Sequence, residues 1–165
     1  SQGETLISLF GAIITVYYSH QESEVEVHKS NQAGSSSKEI GDIDVRKSGK
    51  LILSIEVKDK ILSVSDIEHA VQKTLLAGCR DQLFVIGRSS TVEENIEKLG
   101  RDLREKYNMD VRFLHIDCLI DYFVSMFDNY QRYTVVQLVA EILKKMKSRD
   151  ETQKHFEVVF GDFIE

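Results

Sequence analysis

Residues 40–57 constrain the fold of this chain more than any other stretch. Segments 40–46 (IGDIDVR) and 51–57 (LILSIEV) have the alternation of strands, and Lys47-Ser48-Gly49-Lys50 between them has the glycine and polar content of a hairpin turn. Successive strand side chains project from opposite faces, so Ile43 and Val45 share one side while Asp42 and Asp44 share the other. On the second strand Leu51, Leu53, Ile55 and Val57 form an apolar face, which leaves Ser54, Glu56 and Lys58 opposite. Charge on the far face of an otherwise buried strand is costly unless it is paired or bound to metal.

Around this hairpin the periodicity predicts alternating elements. Leu6, Phe10, Ile13, Ile14 and Tyr17 fall at helical spacing, predicting a helix over 4–18 whose second half is weakened by Gly11. Residues 24–28 alternate acid and valine as a half-exposed strand would, and 29–39 (KSNQAGSSSKE) form a polar loop long enough to move. Ser65 with Glu68 has the capping-box pattern for a helix reaching about Ala77, and Thr91 with Glu94 repeats it for a helix reaching about Tyr107. The apolar run 83–87 and the segment 111–116 read as strands. From Asp117 two helical stripes follow, Leu119, Ile120, Phe123, Val124 and Phe127, then Val135, Leu138, Val139, Ile142 and Leu143. Residues 155–165 fit a strand or a short helix. The class is α/β, with no internal repeat or low-complexity tract.

A chain of 165 residues and 18.9 kDa supports one domain, with a core over about 4–116 and a helical extension over about 117–165. It opens Ser-Gln-Gly rather than with Met, as an excised or processed piece of a longer protein would. With 42% hydrophobic and 29% charged residues, the composition is that of a soluble globular protein. The apolar run 5–18 is shorter than the ~20 residues a membrane span requires, and no basic segment precedes it as in a signal peptide. Cys79 and Cys118 lie in apolar stretches 39 positions apart, which suits reduced, buried thiols of a cytoplasmic protein. Histidines at 20, 28, 69, 115 and 155 include no i,i+4 pair, which argues against a zinc enzyme. A net charge of −6 excludes nucleic-acid binding by average field, so any such binding needs local basic patches or a bound cation.

The hairpin supplies the place for a cation. Centred on Gly49, it sets Asp42 opposite Glu56 and Asp44 opposite Ser54, with opposed side chains ~5 Å apart. Two opposed carboxylates repel, so their presence asks for positive charge between them. Paired hard oxygen donors that leave room for water and phosphate describe a Mg²⁺ site of the nuclease type. The alternative is a surface ion-pair ladder in which Lys58 and Lys60 neutralise the acids. Asp44 remains the alternative to Asp42 as the ligand. Further candidates are His69, Gln72 and Lys73, which share a face of the following helix at i, i+3 and i+4. Ser35, Ser36 and Lys38 belong to a loop whose backbone amides suit phosphate, and Lys144, Lys145, Lys147, Arg149 and Lys154 form the densest basic cluster. The bland reading of that cluster is a solvated helix end.

Gly41-Asp42-Ile43, with thirteen residues between Asp42 and Glu56-Val57-Lys58, in a helix, strand, hairpin, helix, strand order, resembles the PD-(D/E)xK nuclease core. Within that superfamily the stretch 27–60, with its loop residues Asn31 and Gln32 and its GDIDV and SIEVKDK segments, is most similar to type II restriction endonucleases. Gly41 stands where the motif's name has proline. The resemblance covers roughly residues 4–116 and implies a restriction endonuclease-like mixed central sheet flanked by helices, here with additional C-terminal helices. It further implies that Asp42 and Glu56 bind Mg²⁺, with Mn²⁺ as a substitute, and that Lys58 orients or activates the attacking water. Glu4 matches a position where such enzymes often carry another acid. The implied activity is Mg²⁺-dependent endonucleolytic cleavage of double-stranded DNA, with Asn31, Ser35, Ser36, Lys38, Lys60, His69, Lys73, Lys144, Lys145 and Lys147 as DNA-contact candidates. A palindromic target would call for a homodimer. The competing functions are structure-specific cleavage in repair or recombination, and a non-catalytic nuclease-fold DNA-binding or assembly module.

Overall fold

In the computed structural model, which describes residues 2–28, 39–92 and 94–161, the hairpin strands are β2 (Ile43–Lys47) and β3 (Lys50–Lys58). Their turn is only Ser48-Gly49, both at positive φ (49° and 75°), the left-handed pair whose twist matches a two-residue hairpin. Lys47 faces Lys50 and Arg46 faces Leu51, but Val45 faces Leu53. Ile52 is thus the extra residue of a β-bulge, turned outward and 36% exposed. Beyond the bulge Asp44 faces Ser54 and Ile43 faces Ile55, where the ladder ends. Residues 40–42, expected in the strand, form the bend leading into it.

β1 (Ser23–Val27) pairs antiparallel with β2, while β4 (Asp81–Ile86) and β5 (Asp110–His115) continue in parallel from β3. The result is a mixed five-stranded sheet in the order β1-β2-β3-β4-β5, with β3 at its centre. On one face, Ile43, Val45, Leu53, Ile55, Val57, Leu83 and Val85 meet Ile7, Phe10 and Ile13 of α1 (Gln2–Tyr18) and Val135, Val139 and Leu143 of α5 (Asn129–Lys145). On the other, Phe84 and Val111 pack against Ile67 and Val71 of α2 (Val64–Leu76) and Leu99 and Leu103 of α3 (Ile96–Tyr107). A Cβ at Gly11 would lie 2.6 Å from Val27 Cγ2, so this glycine permits the close approach of α1 to β1 rather than weakening the helix.

Both expected helix caps move. Ser63, not Ser65, caps α2 by accepting the Asp66 N–H, and Asn95, not Thr91, caps α3 by accepting the Lys98 N–H. The cause is a parallel bridge between Leu62 and Val92, in which the Leu62 N–H donates to Thr91 O. The chain is held extended there, so Thr91 cannot cap and α2 starts as soon as the bridge ends. The C-terminal segment folds as α4 (Ile116–Met126), α5 and α6 (Asp150–Phe160); Ile116, expected in a strand, opens α4, and the segment from His155 is helical as far as it is described. Cys79 is buried, but Cys118 is exposed on α4, against expectation. Among the described residues no helix is long and apolar enough to cross a membrane.

Because Leu143 is 1% exposed in the same core as α1 and the sheet, α5 is part of that core. Leu143→Ala is therefore expected to cost about 2–5 kcal/mol of global stability in one cooperative urea transition. A separate early transition confined to the C-terminal helices would contradict this.

Candidate active site

The Asp42 side chain stands at the bend just before β2 and reaches across to β3. Its Oδ2 accepts the Val57 N–H at 2.9 Å and the Lys58 ammonium at 2.9 Å. Lys58 Nζ lies 2.5 Å from Glu56 Oε2, so one ammonium is shared by both carboxylates. Side-chain exposures of 13% for Asp42, 12% for Glu56 and 24% for Lys58 make this a largely desolvated triad. Gly41 makes the reach feasible, since a Cβ there would lie 2.6 Å from both Ile55 O and Ser54 Oγ. Backbone in the way cannot yield as a flexible side chain can.

Burial, and then the Asp42 charge, push the Glu56 carboxyl up to about 7, against the opposing pull of Lys58 and Lys73. Burial by itself would lower the Lys58 ammonium, but Glu56 and Asp42 outweigh it and hold its pKa well above the ordinary lysine value. With both carboxyls ionised the triad carries one positive and two negative charges, and the rise at Glu56 reflects its burial first and the Asp42 charge second. Two hard carboxylate oxygen donors with that excess fit a divalent cation such as Mg²⁺.

Glu56 and Lys58 of the triad open into a cleft of about 440 Å³ lined also by Lys60, Leu62, Asp66, His69, Ala70, Lys73 and Phe84. The cleft thus gathers His69 and Lys73 from one face of α2 with Lys60 beyond β3. Gln72 is turned away and donates to the Tyr107 hydroxyl on α3 at 3.2 Å, so the expected grouping of Gln72 with His69 and Lys73 does not form. A second cleft of about 380 Å³ is lined by Glu26, Val27, His28, Glu39, Lys145, Met146 and Lys147. Lys144 instead lines a groove with Ala140, Leu143, Gln153, Phe156 and Glu157 between α5 and α6. The basic cluster is therefore split. Asn31, Ser35, Ser36 and Lys38 lie outside the described residues.

Asp44, the alternative ligand, is fully buried on the same sheet face as Asp42. Its Oδ1 accepts the Gly41 N–H and its Oδ2 the Ile40 N–H, each at 2.9 Å, and His28 Nε2 stands 3.2 Å from Oδ2. Desolvation opposes ionisation, but the His28 contact and these two amides keep the carboxyl below its ordinary value. Glu26, His28 and Asp44 offer ligand-type atoms within 4.8 Å of one another, the kind of grouping a metal uses, and sequence reading missed it because it spans β1 and β2. Arg46 occupies that space, with Nε 2.9 Å from Glu26 and a terminal nitrogen 3.8 Å from Asp44. An internal guanidinium and two amides already serve these oxygens. Glu4 is buried near the start of α1.

Residues 1–88 match the family described as SacI restriction endonuclease C-terminal domain, a span that holds α1, the hairpin, α2 and β4 with Asp42, Glu56 and Lys58. No curated protein matches the chain.

A carboxyl whose pKa rises on folding binds its proton more tightly in the folded state, so the folded state loses stability as pH climbs from the unfolded value of 4.5 towards about 7. Glu56→Gln removes that titration. The variant and parent are expected to be similarly stable near pH 5, and the variant more stable by about 1–3 kcal/mol near pH 8, read by urea titration without divalent ions. A difference that does not change with pH would contradict the raised carboxyl.

Proposed function

Because the chain belongs to the SacI restriction endonuclease C-terminal domain family, we propose that it is a Mg²⁺-dependent DNA endonuclease of the type II restriction kind, with Asp42, Glu56 and Lys58 as its catalytic residues. The observation that carries the reading is the desolvated triad, in which carboxylates from two elements share one ammonium at the mouth of an open polar cleft.

Asp42 and Glu56 would hold Mg²⁺, which supplies positive charge for a phosphate under attack by water. In the metal-free protein the two carboxylates hold Lys58 protonated, which suits a hydrogen-bond donor and fixed cation more than a general base. In that state it orients the attacking water or meets the charge that grows on the phosphate oxygens. The Val57 N–H fixes Asp42 Oδ2 and leaves Oδ1 for a ligand. Lys60, His69 and Lys73 line the same cleft and suit the neighbouring phosphates.

Asp42 also joins the two lysine-bearing clefts. Its side chain contacts Lys58 in one, and its backbone carbonyl accepts the His28 N–H at 2.8 Å in the other, where Lys145 and Lys147 stand. Double-stranded DNA seated on both would cross the triad. The net charge of −6 makes such local patches necessary.

Digestion of mixed-sequence DNA with Mg²⁺, followed by end sequencing, tests the reading. Discrete fragments are expected; smeared products would rule out the restriction assignment, and no cutting would rule out the nuclease. Glu56→Ala and Lys58→Ala should each remove cutting, with a loss of about 10²-fold or more, while the far-ultraviolet spectrum is kept. For binding, the joint change of Lys145 and Lys147 to Gln should weaken affinity for every sequence and lower the log-log salt slope by about 0.9 for each phosphate that is no longer neutralised. Lys144→Gln should leave the slope alone, because that side chain lies in the other groove.

A further inference from the structure

The buried Asp44 carboxylate plays no part in the proposed chemistry, yet it is among the most fully hydrogen-bonded side chains in the hairpin. We propose that Asp44 and His28 are positioning residues that clasp the 39–42 bend and thereby fix the metal-binding carboxylate of Asp42. The inference rests on the nuclease reading for what Asp42 does, and on the hydrogen-bond geometry alone for the clasp.

The bend carries Asp42 without support from a strand ladder, since the β2–β3 pairing stops at Ile43 and Ile55. Its backbone is tied down by three other bonds. Asp44 Oδ2 and Oδ1 take the N–H groups of Ile40 and Gly41, the two residues immediately before Asp42. The His28 N–H takes the carbonyl of Asp42 itself. The His28 side chain then closes the clasp through Nε2, which stands 3.2 Å from Asp44 Oδ2, while Nδ1 lies 3.8 Å from Glu39 Oε1, outside hydrogen-bonding distance. With the backbone held at 40, 41 and 42, the side chain of Asp42 is delivered to the Val57 N–H, an amide of β3 two residues past the end of the ladder. Arg46 completes the surroundings of Asp44 from the other side, at 3.8 Å. Acidic side chains often orient a metal-ligating histidine by hydrogen bonding, and removal of such outer partners costs about 10–100-fold in metal affinity. Here the support acts through the backbone of the ligand-bearing bend.

The test uses the full chain with His28→Ala, His28→Gln and Asp44→Asn, because complete removal of the Asp44 side chain would leave buried amides unpaired and unfold the protein. Two measurements are made besides cleavage. Amide exchange of Val57 in the metal-free protein reports whether Asp42 is in place, with Val85 on β4 as the internal control. Calorimetric titration with Mn²⁺ alone reports the affinity of the site. In His28→Ala and Asp44→Asn, Val57 exchange should rise and Mn²⁺ affinity should fall, each about 10-fold, with Val85 exchange unchanged. The Mg²⁺ concentration for half-maximal cutting should rise in step, and the rate at saturating Mg²⁺ should recover towards that of the parent. His28→Gln keeps a donor for Asp44 and should restore most of both effects. Unchanged Val57 exchange and Mn²⁺ affinity in folded His28→Ala would overturn the clasp. If the parent itself binds no Mn²⁺, the metal-nuclease reading fails, and Val57 exchange still decides the clasp.

Discussion

The alternation of side chains along β3 is the constraint from which the rest of the structure follows. β3 is the central strand, antiparallel to β2 on one side and parallel to β4 on the other, so neither edge of it is open to water. Leu53, Ile55 and Val57 face α1 and α5, and the strand cannot present them there without presenting Ser54, Glu56 and Lys58 on the face that α2 covers. Burial of the apolar set thus forces a carboxylate and an ammonium inward. They are tolerated because they sit at the C-terminal end of β3, where the parallel half of the sheet opens into the cleft before α2.

Asp42 and Asp44 show how little residue type decides by itself. They lie on one face two positions apart, and both are at least nearly enclosed. Asp44 meets two backbone amides and is stabilised as an anion. Asp42 meets one amide and an ammonium it must share with Glu56, and burial together with the Asp42 charge raises the Glu56 carboxyl. The first arrangement is saturated and holds a bend in place. The second is unsaturated, which costs stability and is characteristic of a site that binds or reacts.

The alternation and the helical stripes were legible in the sequence because burial imposes their period directly. The register was legible only in part. A turn centred on Gly49 gives the pairing of Asp44 with Ser54, but the real turn, Ser48-Gly49, demands an offset of one residue, and the bulge at Ile52 restores it. No local signal marks that bulge; tertiary packing selects it. The helix caps were misplaced for a similar reason, since Ser65 and Thr91 match the capping pattern and only the long-range bridge between Leu62 and Val92 disqualifies Thr91. The grouping of Glu26, His28 and Asp44 was likewise hidden, because it depends on β1 pairing with β2 so that Glu26 faces Asp44. The orientation of Gln72 was settled by Tyr107, 35 residues away on another helix.

The C-terminal helices take part in both the core and the charge distribution. α5 buries Val135, Val139 and Leu143 against the sheet, and that docking fixes the place of the residues that follow its last turn. Lys145 and Lys147 are thereby brought to the cleft of His28 and Glu39, although they are more than a hundred positions away in sequence. Within a Debye length of ~8 Å at physiological salt, such placement matters more than net charge, because exposed charges further apart are screened from one another. An acidic chain can therefore gather lysines locally, with Lys58, Lys60 and Lys73 in one cleft and Lys145 and Lys147, balanced there by Glu26 and Glu39, in the other. Under the proposed function a polyanion would be met best where Lys58, Lys60 and Lys73 outnumber the acids of their cleft, since the net charge of −6 works against binding elsewhere.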